Sequence, residues 1–426
     1  MFKSLKAFLT AHREAIVWML RIVVGLVFLG SGLVKCIDLW GFVYKIEEYL
    51  AVWNVPQPRS LVEMTALTIC CAEFAGGVML MLGAYRRVAV WGLTAMMAVM
   101  LPLTAYIYIY SPVSDCGCFG DFIVLSNGAT SLKNILIMAA LVYLLRTNHK
   151  VKGLIHPYLQ WIGATACCLF MAFVGIYGLM VQPMVDFRSF APGTMLLSED
   201  ETDEDSVDFE FLYEKNGEFR TFGMDNLPDS TWTFVERKIV GGSGDMYENR
   251  TEFRILDDGE DVTEEAVATD GEQIIIVMPQ YERADVSYTY IINELQKYVT
   301  SRGGNLIEAA SIGRSDLPRW RDLSMADYPI YQGESVMLKE LARGVMAAVY
   351  TVDGRIVWKR TLGSIDTDLI DGTTPVDGNA LDLLLPLGGD ALGVTSALLA
   401  VVLLCLILPT IGLKWCGKSA LLENNK

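Results

Sequence analysis

Apolar residues in this chain are gathered into long blocks, not spaced at helical or strand intervals. A bilayer core takes roughly 20 apolar residues per helix. Six stretches approach or exceed that length, at about 15–35, 60–82, 88–110, 130–146, 158–182 and 391–413, the fourth being the shortest. Between the fifth and sixth the pattern changes. "DFEFLYEKNGEFRTF" reads as two strands around an Asn216-Gly217 turn, "EQIIIVMP" as a buried strand, and "VSYTYIINELQKYVTSRGG" as an amphipathic helix closed by glycine. "NLIEAAS" reads as another strand, and "AAVYTVDGRIVWKRTL" as two strands about an Asp-Gly turn. The pattern predicts an α-helical polytopic membrane protein of six spans carrying a separate α/β domain, which the charge pattern makes extracytoplasmic.

Composition sharpens this picture. The 426 residues are 52% hydrophobic, which argues against an ordinary soluble protein. Charge is unevenly distributed: residues 184–390 hold 41 Asp and Glu against 18 Lys and Arg, and the remainder holds 9 against 16. So acidic a domain is a poor match for nucleic acid, and membrane lipid is the partner of the helical part. Cytoplasmic loops next to membrane helices are enriched in Lys and Arg. Lys3, Lys6 and Arg13, then Arg86 and Arg87, then Arg146, Lys150 and Lys152, then Lys414 and Lys418 mark every second connection. The alternation predicts a bacterial inner-membrane protein, multi-pass, with both termini cytoplasmic and the large domain periplasmic. The first block reads as a retained span, because it lacks a small-x-small cleavage pattern. Boundaries are expected at 1–150 for the four-helix part, 151–186 for the fifth helix, 187–270 for an acidic β-rich segment, 271–385 for the α/β domain, and 390–426 for the sixth helix and tail. The tract "SEDETDEDSVDFE" reads as a solvated acidic loop.

On that map the cysteines divide by compartment. Cys116 and Cys118, in "SPVSDCGCFGDFIV", and Cys36 at the end of the first span face the oxidising side, where disulfides persist. Two thiols one residue apart close only a tight ring, and a strained disulfide is more oxidising. Gly117 between them frees the backbone to adopt the required angles. Cys116 and Cys118 are therefore the candidate catalytic residues, as a redox-active dithiol. A structural disulfide, including one from Cys36 to either of them, and a zinc site are the competing readings. Zinc takes four ligands as a rule, and all three histidines map to the other side. Asp115 and Asp121 flank the pair, and each either disfavours a thiolate or accepts its proton. Glu73 lies well inside the second span, where a carboxylate marks a proton or ligand path or else is a protonated group hydrogen-bonded in the bundle. Cys36, Asp115, Asp121 and Glu73 are thus possible redox or proton partners. Tyr106, Tyr108 and Tyr110 read as an interfacial aromatic belt, with quinone contact as the alternative.

Residues 15–146 resemble the DoxX and MauE group of membrane proteins. The likeness rests on "GLVFLGSGLVKCIDLWGF", "YKIEEYL", "CAEFAGGVMLMLGAYRRVA" and above all "DCGCFGD". It implies that the first four spans form a four-helix bundle, with two further transmembrane helices beyond it. It also implies an inner-membrane protein associated with redox chemistry, with disulfide formation in an exported enzyme in the MauE case and a quinone-coupled oxidoreductase in the DoxX case. The strand and helix order after Gly271 resembles a thioredoxin-like fold. "MPQYERADVSY" stands where that fold carries Cys-x-x-Cys, Met346 stands at its substrate-facing proline, and there is no cysteine between Cys168 and Cys405. Together these predict a thiol/disulfide redox-associated protein of the cell envelope, its Cys-Gly-Cys dithiol exchanging electrons with an envelope redox or client protein or with a quinone, the cofactor otherwise unknown. The alternative is a non-catalytic scaffold whose outer domain binds another envelope protein.

Overall fold

The structure is a computed structural model that describes residues 12–55, 57–110, 117, 120–122, 126–197, 208–215, 218–223, 233–240 and 252–423, with the backbone path alone at Asp121, over 208–240 and from 410 onward. Two compact units emerge. The first comprises Met1–Phe187, Gly363–Ile365 and Leu381–Lys426, the second Arg188–Leu362 and Asp366–Ala380.

The first unit is helical. Helices α1 (Arg13–Ile37), α2 (Leu39–Val52), α3 (Arg59–Leu82), α4 (Arg86–Tyr110), α5 (Asn127–Thr147) and α6 (Gln160–Met180) precede a terminal helix, Gly389–Glu423. All but α2 include a stretch long and apolar enough to cross a membrane, six among the described residues. Their outward faces are apolar, with Met64, Val88, Trp91, Val99, Leu136, Leu169 and Val394 exposed, as lipid-facing surfaces are. Tyr108 and Tyr110 are exposed at the end of α4, where an interfacial belt falls.

The fourteen-residue helix α2 is absent from the hydrophobic-block reading, because it is shorter than a span. Asp38 starts it by accepting a hydrogen bond from the Gly41 amide at 3.1 Å. Leu39, Trp40 and Val43 then bury against the bundle, and the Trp40 indole donates to the Leu179 carbonyl at 3.1 Å.

Helices α1 and α3 touch backbone to backbone. A Cβ on Gly77 would lie 2.6 Å from the Gly25 carbonyl oxygen, and one on Gly32 would lie 2.8 Å from both the Cys70 oxygen and the Phe74 nitrogen. Lipid tails are as apolar as side chains, so membrane helices associate through such close packing and through interhelical hydrogen bonds. At the far end of α1, Arg21 is fully buried. It donates to Asn148 Oδ1 at 2.6 Å and to the carbonyls of Asn148 at 3.0 Å, Val151 at 2.9 Å and Lys152 at 3.2 Å. One guanidinium thereby ties α1 to the backbone of the segment that follows α5.

The second unit contains two sheets. Strands β1 (Asp208–Lys215), β2 (Glu218–Gly223) and β3 (Thr233–Val240) form an antiparallel sheet in the order β2-β1-β3. Lys215 pairs with Glu218, the register expected of strands joined by two residues, while Asn216 and Gly217 themselves lie outside the described residues. Strands β4 (Ile255–Asp257), β5 (Glu260–Asp261), β6 (Glu272–Met278), β7 (Asn305–Ala310), β8 (Ile330–Gly333), β9 (Ala347–Val352) and β10 (Arg355–Thr361) form the second, ordered β10-β9-β6-β7-β8-β4-β5. β7 runs parallel to β6 and β8, and β9 runs antiparallel to both β6 and β10. Helix α7 (Thr289–Ser301) joins β6 to β7, α8 (Leu317–Ser324) leads to β8, and α9 (Ser335–Leu341) follows it.

β6 is covered on both faces. Ile274, Ile275, Ile276 and Val277 are all fully buried, each contributing about 1.5–3 kcal/mol of gross burial. That is why its sequence is continuously apolar and does not alternate. A carboxylate is also buried in this core. Glu308 on β7 is fully buried, and Oε1 accepts from Trp320 Nε1 at 2.8 Å while Oε2 and the Tyr328 hydroxyl are buried without a hydrogen-bond partner. Burial pushes the Glu308 carboxyl up to about 7, against a weaker opposing effect of the Trp320 donor.

Candidate functional site

The bundle of the first unit buries a second charge at the end where α1 runs out and α5 begins. Lys35 Nζ lies 2.7 Å from Glu73 Oε1 and 2.6 Å from Oε2, so the ammonium bridges both carboxylate oxygens. The Ser31 hydroxyl donates to Oε2 at 2.9 Å. The two charged side chains are 3% and 7% exposed, and the ammonium sits 4.8 Å from the centre of the Phe42 ring. Ser31 and Lys35 are one helical turn apart on α1, and the close α1–α3 contact at Gly32 presses that turn against Glu73. The glycine contact and the ion pair are thus one feature: with a side chain at position 32, helix α1 would stand too far from α3 for this geometry.

Beside the pair is a cavity of about 30 Å³, enough for one water molecule. Ser31, Lys35 and Glu73 line it together with Lys133 and Asn134 of α5, and Met96, Met97 and Met100 of α4 form much of its apolar wall. The Asn134 amide donates to the Thr104 hydroxyl at 3.3 Å, which ties α5 to α4 on the cavity's far side. A buried ion pair of this kind is a weak source of stability, but removing one partner leaves an uncompensated charge at a cost of about 3–5 kcal/mol.

Described residues of the connection from α4 to α5 approach α1 and α2. Gly117 is buried with φ of +62°, and a Cβ there would stand 2.8 Å from Lys45 Cγ of α2. The positive φ favours glycine at the centre of the Cys-Gly-Cys motif. Lys45 in turn pairs with Glu48 at 2.9 Å. Gly120 begins a short turn, Gly120–Phe122, and a Cβ on it would be 3.9 Å from Lys35 Cγ. Cys116, Cys118 and Asp115 lie outside the described residues, as does the Asp121 side chain.

Of the other site residues, the structure brings Glu73 together with Lys35, and it places Cys36 elsewhere. Cys36 is fully buried, its thiol donating to the Met171 carbonyl of α6 at 3.2 Å, in a core shared with Cys70, Cys167 and Val174. Cys36 therefore faces α6, whereas its neighbour Lys35 faces α3. Sequence reasoning overlooked Lys35, Ser31, Lys133 and Asn134 as members of one cluster. The available signal was a lysine inside the last turn of α1, two residues before its end at Ile37, where a buried charge without a partner is costly.

Residues 13–147 match the family model described as methylamine utilisation protein MauE, and residues 207–240 match a domain of unknown function (DUF8463). The four-span membrane part of this protein, with the Cys-Gly-Cys turn between its third and fourth spans, is therefore MauE/DoxX-like. The match ends at the close of α5, so α6, the α/β unit and the terminal helix extend beyond it. No curated protein and no solved structure matches the chain.

Proposed function

We propose that this protein is a thiol/disulfide redox-associated protein of the bacterial cell envelope, in which Cys116 and Cys118 exchange electrons with an envelope protein or a quinone. The observation that carries this reading is the position of the Cys-Gly-Cys turn. The motif falls within the MauE-like segment, and its described residue, Gly117, adjoins Lys45 of α2. Cations beside a thiol favour the thiolate, the form that attacks and leaves in disulfide exchange. The basic connections at Arg86, Arg87, Arg146, Lys150 and Lys152 support a cytoplasmic placement of the opposite end, and hence a periplasmic turn and α/β unit.

In the α/β unit, the strand order β10-β9-β6-β7, with β6 and β7 parallel and joined by α7, supports a thioredoxin-like reading. Met346 is buried immediately before β9, and without cysteine this unit does no thiol chemistry of its own. That absence favours a second reading for the unit alone: it docks a client or partner protein for the membrane dithiol.

The test is trapping in cells. Cys118→Ser should leave Cys116 able to form a mixed disulfide but unable to resolve it, so covalent adducts with a partner accumulate on a non-reducing gel. A purely structural disulfide behaves differently, because its loss removes about 2–4 kcal/mol of stability and lowers abundance without adducts. Single serine variants at 116 and 118 that give only lower abundance would overturn the redox reading.

A further inference from the structure

Helix α8 is fastened to its unit by few side chains. Trp320 and Ser324, one helical turn apart, are buried, whereas Arg319, Arg321, Asp322 and Leu323 are exposed. Among the described residues, no other element packs broadly against this helix. We infer that α8 is a proton-operated latch: Trp320 holds it on β7 while Glu308 carries a proton, and loss of that proton lets the helix lift. The inference stands apart from the reading of the membrane dithiol.

Glu308 is fully buried with one hydrogen bond, from Trp320 Nε1 to Oε1 at 2.8 Å. Its Oε2 and the Tyr328 hydroxyl are buried without a partner, so water can reach this carboxyl group only if a covering element moves. The segment around α8 is built to permit that. The helix stops at Met325, whose φ of +50° is strained for a residue other than glycine. Asn293 and Gln296 of α7 donate to the carbonyls of Ser324 at 3.3 Å and Asp327 at 2.7 Å, and Gln332 donates to the Ile312 carbonyl at 2.8 Å. Both ends are therefore tied, and the middle is held through Trp320, whose ring also meets Tyr281 edge-on at 6.0 Å.

The surroundings leave the charge uncompensated. Strands β6 and β8 set Ile276 and Ile330 beside Glu308. The titratable group facing it is Tyr328, whose ionisation burial pushes far above the usual range. On α7, Glu294 and Lys297 pair with each other at 2.6 Å, and the Tyr298 hydroxyl bonds to Asn379. Ionisation would strengthen the bond from Trp320, but the loss of solvation is the larger effect. Burial holds the carboxyl at about 7 with the latch shut, and contact with water restores a value near 4.5. The shut form thus keeps a proton that the lifted form releases. Lifting becomes more frequent as pH rises between those values and levels off above the higher one.

The consequence reaches the other side of the helix. Leu317, Arg321 and Asp322 line a cleft of about 210 Å³ together with Asp257, Arg314 and Gln332. Protonation of Glu308 therefore sets the shape of a charged cleft that Glu308 itself does not line.

Hydrogen–deuterium exchange of the full-length protein in detergent micelles tests this, with amide protection corrected for the intrinsic rate at each pH. Protection over 320–324 should fall roughly 10–100-fold from pH 5 to pH 8, and should stay at least about tenfold below that over 289–301 throughout, because a local opening needs less free energy than unfolding of the whole unit. Glu308→Gln should hold 320–324 near its pH 5 value across the range. Trp320→Phe, which removes the bond and keeps the carboxyl, should lower protection over 320–324 already at pH 5, and it serves as the test if Glu308→Gln fails to accumulate. Equal protection of the two segments at every pH would mean that α8 opens only with the whole unit. That result, a pH-independent value over 320–324, or an unchanged value at pH 5 in Trp320→Phe overturns the inference.

Discussion

Replacing Glu308 with glutamine should stabilise the α/β unit, and by an amount that depends on pH. Glu308 is fully buried on β7 with a single hydrogen bond from Trp320, and its carboxyl is raised from 4.5 to about 7. Between those values the folded unit holds a proton that the unfolded chain has released, so stability falls as pH rises through that window and levels off above about 7. At roughly 1.4 kcal/mol per unit of pH, the cost reaches about 3 kcal/mol at pH 8 and is under about 1 kcal/mol at pH 5. Glutamine has the same shape and does not titrate. It keeps an acceptor for Trp320 and directs a donor toward the unpaired Tyr328 hydroxyl. Urea denaturation of an excised 187–385 fragment, followed by tryptophan fluorescence, gives the difference between variant and wild type at each pH. Other titrating groups cancel in that difference. The expected result is near equality at pH 5 and a gain of about 2–3 kcal/mol for Glu308→Gln at pH 8. A difference independent of pH would refute the argument, since it would mean that Glu308 is not held protonated by burial.

Two further outcomes follow from the membrane unit. Cysteines placed at Ser126 and Asp270 should react with a membrane-impermeant thiol reagent in intact spheroplasts while one at Thr147 stays unlabelled, and equal labelling at Thr147 would reverse the proposed orientation. Gly77→Val should lower the melting temperature and abundance of the full chain, because a Cβ at that position already meets the Gly25 carbonyl oxygen at 2.6 Å; it should cost at least the 1–3 kcal/mol typical of overpacking, whereas Gly92→Val, facing open space on α4, should be tolerated.

Much of the architecture follows from local pattern, and a pattern read over 20 residues survives folding because the bilayer enforces it. The six spans, the pairing of β1 with β2, the buried strand at Glu272–Met278 and the Asp353-Gly354 turn are all legible in the sequence, each being set by residues close together in the chain. Helix α2 escaped because its burial depends on partners on α3 and α6, Trp40 reaching Leu179 across 139 positions. The candidate site divides in the same way. The Cys-Gly-Cys motif and the intramembrane carboxylate of Glu73 are visible as residue types in improbable places. Which groups meet is a different matter: only the antiparallel contact of α1 and α3 at Gly25, Gly32 and Gly77 brings Lys35 to Glu73, 38 positions away, and turns Cys36 toward α6. Residues 35 and 36 point about 100° apart on a helix, so one helix rotation, fixed by glycines that the sequence shows only as small residues, decides that lysine joins the charge cluster and cysteine joins the core.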